Sequence, residues 1–266
     1  MSDLVRSQQY NQDSSDDDEL RKAKLKKRKK KLAIPGMPNK LVVIKNVEKD
    51  GGWMERWDKP KNRSPGHLIH PFKLLALGGT GRGKTNCLKN IFLKHQSSGR
   101  KFQRLYIITC SEESTEWDDC DPTDLFIDIP DLDIFDGTEK TCVIVDDFET
   151  LKLSKDQYRK LATLMRFICT HRNVSCMLSY QSFFDCVPIC RKVANCFMIY
   201  KTTGRQELDT IANRVGIDPK KMRYLFKTYI TGQYDHLMVD KTVGTPYKLR
   251  KNIYEIIEEV SDSDSD

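Results

Sequence analysis

The sequence contains no run of roughly 18 or more uncharged apolar residues, the length a helix needs to cross a bilayer, and so offers no membrane-spanning segment. It lacks the apolar core behind basic residues that marks a secretory leader. The opening MSDLVRSQQYNQDSSDDDEL is polar and acidic, which sets the expectation of an intracellular protein rather than a secreted one. Nine cysteines are present, yet there is no C-x-x-C pair and no histidine at matching spacing, which excludes the usual zinc patterns. Several of these cysteines fall inside apolar runs (TCVIVDD, RFICT, NCFMIY), so free thiols buried as small hydrophobes in a reducing compartment are expected. No internal repeat is found, which excludes a solenoid.

A large net charge is also missing. Lys and Arg total 45 against 38 Asp and Glu, a formal balance of +7, but the charges are sorted into blocks. SSDDDE is acidic, RKAKLKKRKKK from Arg21 is strongly basic, and SDSDSD closes the chain. Blocks of like charge repel themselves and bury no apolar surface, so residues 1–38 and 258–266 are read as disordered tails. Between them, residues 39–257 are read as one folded domain. The basic run suits a nuclear address, a phosphate-gripping arm or a solubility tail, and composition does not choose among them.

Within the domain, apolar runs alternate with helical periodicity. LVVIKNV from Leu41 reads as a first strand. FKLLAL precedes the helical TNCLKNIFLKH, and RLYIITC precedes an irregular acidic stretch. TCVIVDD precedes the helical SKDQYRKLATLMRFICTHRN. VSCMLSY precedes a short helical piece, and NCFMIYK follows. Continuously apolar strands separated by helices predict an α/β fold with a mostly parallel sheet covered on both faces. Ser154 with Gln157 three residues on has the capping-box pattern, and Asp218 before Pro219 marks another helix start. YDHLMVDKTVGTPYKLR reads as a final strand with a Gly-containing turn.

The strongest chemical signal is GGTGRGKT, spanning Gly78, Gly79, Thr80, Gly81, Arg82, Gly83, Lys84 and Thr85, with Asn86 following. It fits G-x-x-x-x-G-K-[ST] and lies between an apolar strand and an amphipathic helix, where a phosphate loop must lie. Its glycines let successive backbone N–H groups and the helix N-terminus face an anion. Lys84 supplies charge to the β and γ phosphates of ATP, and the Thr85 hydroxyl is placed to ligate Mg2+. The second signal is the strand TCVIV ending in Asp146 and Asp147. In a parallel sheet both carboxylates reach the carboxyl edge where ligands bind, with Asp146 read as the magnesium-side acid and Asp147 as the general base. The third is Gln181, at the end of VSCMLSY beside Ser179, Tyr180 and Ser182, read as a sensor of the γ-phosphate. Arg172, Arg191 and Arg205 are candidates for a finger supplied to a neighbouring subunit, with Arg191 preferred for its place in the segment after Gln181.

Taken together, GGTGRGKT, VIVDD and LSYQSFFDCVPICRKVANCFMIYK resemble the genome-packaging ATPases of large eukaryotic DNA viruses, a family that takes in the poxvirus-type enzyme and relatives in virophages and Polinton-like elements. That family belongs to the FtsK-HerA superfamily of DNA pumps, and the resemblance runs from about Leu41 to Ile257. It implies a P-loop NTPase fold of the ASCE type, with Lys84 and Thr85 in the Walker A role, Asp146 and Asp147 in Walker B and Gln181 as sensor. It implies ATP and Mg2+, a homo-oligomeric ring threading double-stranded DNA with little sequence preference, and a capsid or portal-vertex partner. It also implies a place in the virion or at a nuclear or cytoplasmic assembly site. Many superfamily members end the Walker B strand with Asp-Glu, whereas this chain has Asp-Asp, which leaves Glu149 as an alternative base. A helicase or segregation ATPase of the same superfamily, and a nucleotide-dependent switch or kinase, are the rival readings.

Overall fold

The computed structural model describes residues 66–99, 101–110, 115–146, 148, 153–201, 204–243, 245 and 248–257. The expected strand LVVIKNV, both charged tails, Asp147 and Glu149 lie outside the described residues. In chain order the elements are β1 (Lys73–Leu77), α1 (Lys84–Ser97), β2 (Arg104–Ile108), a 3-10 turn (Thr115–Cys120), β3 (Asp124–Phe126), a second 3-10 turn (Leu132–Ile134) and β4 (Thr141–Val145). A long helical stretch follows: α2 (Lys155–Thr163), a π-helical segment (Leu164–Ile168) and α3 (Cys169–His171). Then come β5 (Val174–Tyr180), α4 (Pro188–Val193), β6 (Cys196–Tyr200), α5 (Arg205–Val215), α6 (Pro219–Tyr229), β7 (His236–Asp240), β8 (Leu249–Lys251) and β9 (Glu255–Ile256).

These strands form one nine-stranded sheet in the order β3-β2-β4-β5-β1-β6-β7-β8-β9. Strands β3 through β6 in that order pair in parallel, and β7, β8 and β9 are added antiparallel at one side. The central strands β2, β4, β5, β1 and β6 are buried almost throughout because both faces are covered, whereas the short strands β3 and β9 at the edges are exposed or half-buried. On β1, Leu74 and Ala76 belong to one buried cluster and Leu75 and Leu77 to another, as the period-2 alternation of a strand requires. Helix α1 closes the first face with Leu88, Ile91 and Phe92. The second face is closed by Leu161 of α2, Leu164, Met165 and Ile168 of the π segment, Cys190 of α4, Leu208 and Ile211 of α5, and Met222 and Leu225 of α6.

Both marked helix starts are present, one of them altered. The Asp218 side chain accepts from the backbone N–H groups of Lys220 and Lys221 at 2.8 and 3.1 Å. Ser154 accepts from Gln157 N at 3.1 Å, but the reciprocal half of the capping box is missing. The Gln157 side chain instead accepts from Ile129 N at 2.8 Å and ties α2 to the chain ahead of β4. Two segments depart from the sequence reading. The acidic stretch after β2 contains the edge strand β3, and the C-terminal segment folds into antiparallel strands rather than one final strand.

Candidate functional site

In an open parallel sheet the carboxyl edge is where ligands bind, and the loop from Gly78 to Gly83 leaves β1 at that edge. Gly81 and Gly83 hold positive φ angles of 73° and 81°, a conformation that side chains with a Cβ rarely tolerate. Gly78 is required for space: a Cβ there would lie 2.6 Å from the Cβ of Tyr200, the last residue of β6. The loop is further tied down by Gly78 N donating to Tyr180 O at 3.1 Å and by the Tyr200 hydroxyl donating to Gly83 O at 3.4 Å. Burial, with Cys87 alongside, pushes the Tyr200 hydroxyl far above the usual phenol range, so it stays protonated and able to donate to Gly83 O.

Lys84 opens α1 and is buried. Its ammonium donates to Gly78 O at 2.8 Å and Gly79 O at 3.2 Å, which holds a positive charge in the curve of the loop. Thr85 stands half-buried on the first turn of α1, with Thr80 and Asn86 exposed beside it. The Nη1 of Arg82 donates to Gln233 O at 3.3 Å.

Asp146 follows β4 at the same edge, is only 3% exposed, and accepts a short hydrogen bond from the Ser179 hydroxyl of β5. In the sheet, β5 lies between β1 and β4, so Gln181 leaves its strand between the phosphate loop and the acid. Gln181 is exposed. The chain after it is fixed by a residue the sequence reading missed: Glu207 on the first turn of α5 accepts from Ser182 Oγ at 2.8 Å and from Phe183 N at 2.6 Å. No local pattern pairs Glu207 with Ser182, because the contact exists only once α5 returns to the carboxyl edge.

The three candidate arginines separate by position. Arg172 sits just ahead of β5, at the amino edge of the sheet, where its Nη1 donates to Phe135 O at 2.8 Å. Arg191 lies on α4 with its guanidinium 5.1 Å from the centre of the Phe183 ring, so it packs on the loop that follows Gln181. Arg205 opens α5 at the carboxyl edge with a side chain 78% exposed and its Nε 3.9 Å from Asp209.

All nine cysteines are free thiols, and seven of them are buried. Burial pushes the thiols of Cys142, Cys176, Cys186, Cys190 and Cys196 upward, as expected for packing residues. Among the described residues no group of His, Cys, Asp and Glu could hold a metal by itself, and no helix is long and apolar enough to cross a membrane. A magnesium site at Thr85 and Asp146 would therefore need phosphate oxygens to complete it. The donor set, one hydroxyl and one buried carboxylate, fits that arrangement.

A strand order that inserts β5 between the phosphate-loop strand and the acid strand defines the P-loop NTPase fold of the ASCE type. The sequence matches no protein-family model and no curated protein. Solved structures do resemble it. The genome packaging NTPase B204 from Sulfolobus turreted icosahedral virus 2 in complex with AMP superposes with a TM-score of 0.50 at 17% identity, covering 73% of this chain and 100% of that one. The same NTPase in complex with AMPPCP gives a TM-score of 0.50 at 18% identity, covering 71% and 100%. At such identities the likeness is one of fold.

Proposed function

We propose that this protein is an ATP-hydrolysing motor that moves double-stranded DNA and packages a viral genome into a capsid, in the eukaryotic-virus branch that its motifs resemble. The observation that carries the reading is the line of groups along the carboxyl edge, with Lys84 in its glycine loop, Gln181 at the end of the intervening strand, and buried Asp146 hydrogen-bonded to Ser179. The similar B204 structures, from a genome packaging NTPase with AMP and AMPPCP, support the same reading.

On this reading the loop from Gly78 to Thr85 with Asn86 binds the nucleotide, and Lys84 places its charge against the β and γ phosphates of ATP. Thr85 and Asp146 would hold Mg2+, which when bound neutralises charge on the phosphate oxygens. Gln181 orients the attacking water. Asp147, or Glu149 in its place, takes the proton as water oxygen bonds to the γ-phosphorus and the bond to ADP breaks. Subunits would assemble into a ring around DNA, docked on a capsid or portal-vertex protein. Arg205 and Arg191 are then the arginines able to act on a neighbour's nucleotide, since Arg172 stands at the opposite edge.

Phosphate release from ATP by the purified protein, with and without duplexes of unrelated sequence, tests this. Grip on the phosphate backbone carries no sequence information, so each duplex should raise the rate to a similar extent. Hydrolysis indifferent to DNA would instead favour a switch or kinase.

A further inference from the structure

We infer that Tyr234 is the nucleotide-base platform of this site, an inference that rests on the reading of Gly78–Thr85 as a phosphate loop. The direction in which a nucleotide lies follows from the strand order. Strand β1 has β5 on one side and β6 on the other, and Asp146 belongs to β4, beyond β5. The γ-phosphate end must point toward β5 and β4, where the acid and Gln181 are. The nucleoside end then lies on the other side of the loop, over the ends of β6 and the start of β7.

Tyr234 is found there, two residues ahead of β7. Its Cδ1 lies 3.4 Å from where a Cβ would project from Gly83, so the ring stands against the last glycine of the phosphate loop. Even so, 62% of its surface is exposed. A large aromatic left open beside a phosphate loop offers a face to a flat ring, and a base stacked on it would bury that area.

The platform is braced from both sides. The preceding residue, Gln233, accepts through its carbonyl from Arg82 of the phosphate loop at 3.3 Å. The following residue, Asp235, accepts from Gly232 N at 2.8 Å and reaches Lys251 Nζ at 3.6 Å and Asn252 Nδ2 at 3.5 Å, which pins the turn to β8 and its neighbour. The backbone that carries the ring is thus braced on both sides of Tyr234. A stack separates nucleotides from bare polyphosphates but does not read the edge of one purine against another.

Calorimetric titration of ATP and of inorganic tripolyphosphate, each with magnesium, distinguishes the base from the phosphates. Tyr234→Ala should weaken ATP roughly five- to hundred-fold, the range of one base-aromatic stack, while leaving tripolyphosphate unchanged. Tyr234→Phe keeps the face and should bind ATP like the parent protein. Equal ATP affinity in Tyr234→Ala would overturn the inference. So would an equal loss for both ligands, because the residue would then act by shaping the loop. If the parent protein bound neither ligand, the phosphate-loop reading would fall and this inference with it.

Discussion

At Lys84 the ammonium is already held by two loop carbonyls, so its replacement removes charge without opening a cavity in the sheet. Lys84→Ala should cut ATP hydrolysis by about 10² or more, with an unaltered far-ultraviolet circular dichroism spectrum. His236 gives a prediction of a different kind. It is buried against Tyr200 at a ring separation of 4.8 Å, and burial lowers its pKa from 6.5 to about 4. The folded imidazole therefore resists a proton that the unfolded chain accepts, so stability is complete above about pH 6.5 and falls as the pH drops toward about 4. Thermal melting at about pH 5 should lie below that at about pH 7.5, and His236→Phe, which cannot titrate, should shrink the difference. Of these residues, Lys84 was legible in its place at the start of α1, because that place is set by a short local motif. His236 was not, because its burial depends on strands far apart in sequence.

Helix α5 acts on the site from outside it. Through Glu207 it fixes Ser182 and Phe183, and through them the exit of the chain that carries Gln181. Glu207→Ala should lower kcat for ATP by roughly ten-fold or more while KM changes little, because the glycine loop keeps its own bonds and only the segment around Gln181, which we propose orients water, loosens. Steady-state kinetics across ATP concentrations would show the split, and a rise in KM alone would assign Glu207 to binding. Elements with strong local signatures were legible: the apolar strands, the helix after GGTGRGKT, and the N-cap Asp218. The three residues of β3 carry too little pattern to be seen, and the Gln157 of an apparent capping box was drawn instead to Ile129, a partner outside the helix.

For the molecule as a whole, the basic run from Arg21 to Lys31 lies outside the described residues and before the sheet, and we propose that it grips DNA phosphates. Each neutralised phosphate adds about 0.9 to the slope of log affinity against log salt, so a protein truncated to begin near Pro35 should bind duplex DNA with a flatter salt dependence and hydrolyse ATP at an unchanged basal rate. An unchanged slope, with a fluorescent fusion displaced from nucleus to cytoplasm, would make the run an address instead. The sequence by itself determined the glycine loop between β1 and α1, Asp146 at the end of β4, the class of sheet and the buried thiols, because each is written in contiguous residues of fixed period or spacing. Tertiary structure alone decided that β5 separates the loop from Asp146, that Ser179 holds that acid, that Glu207 and Tyr234 reach the carboxyl edge, and that Arg172 does not. These are relations between segments brought together by burying both faces of one sheet, and no local window of residues contains them.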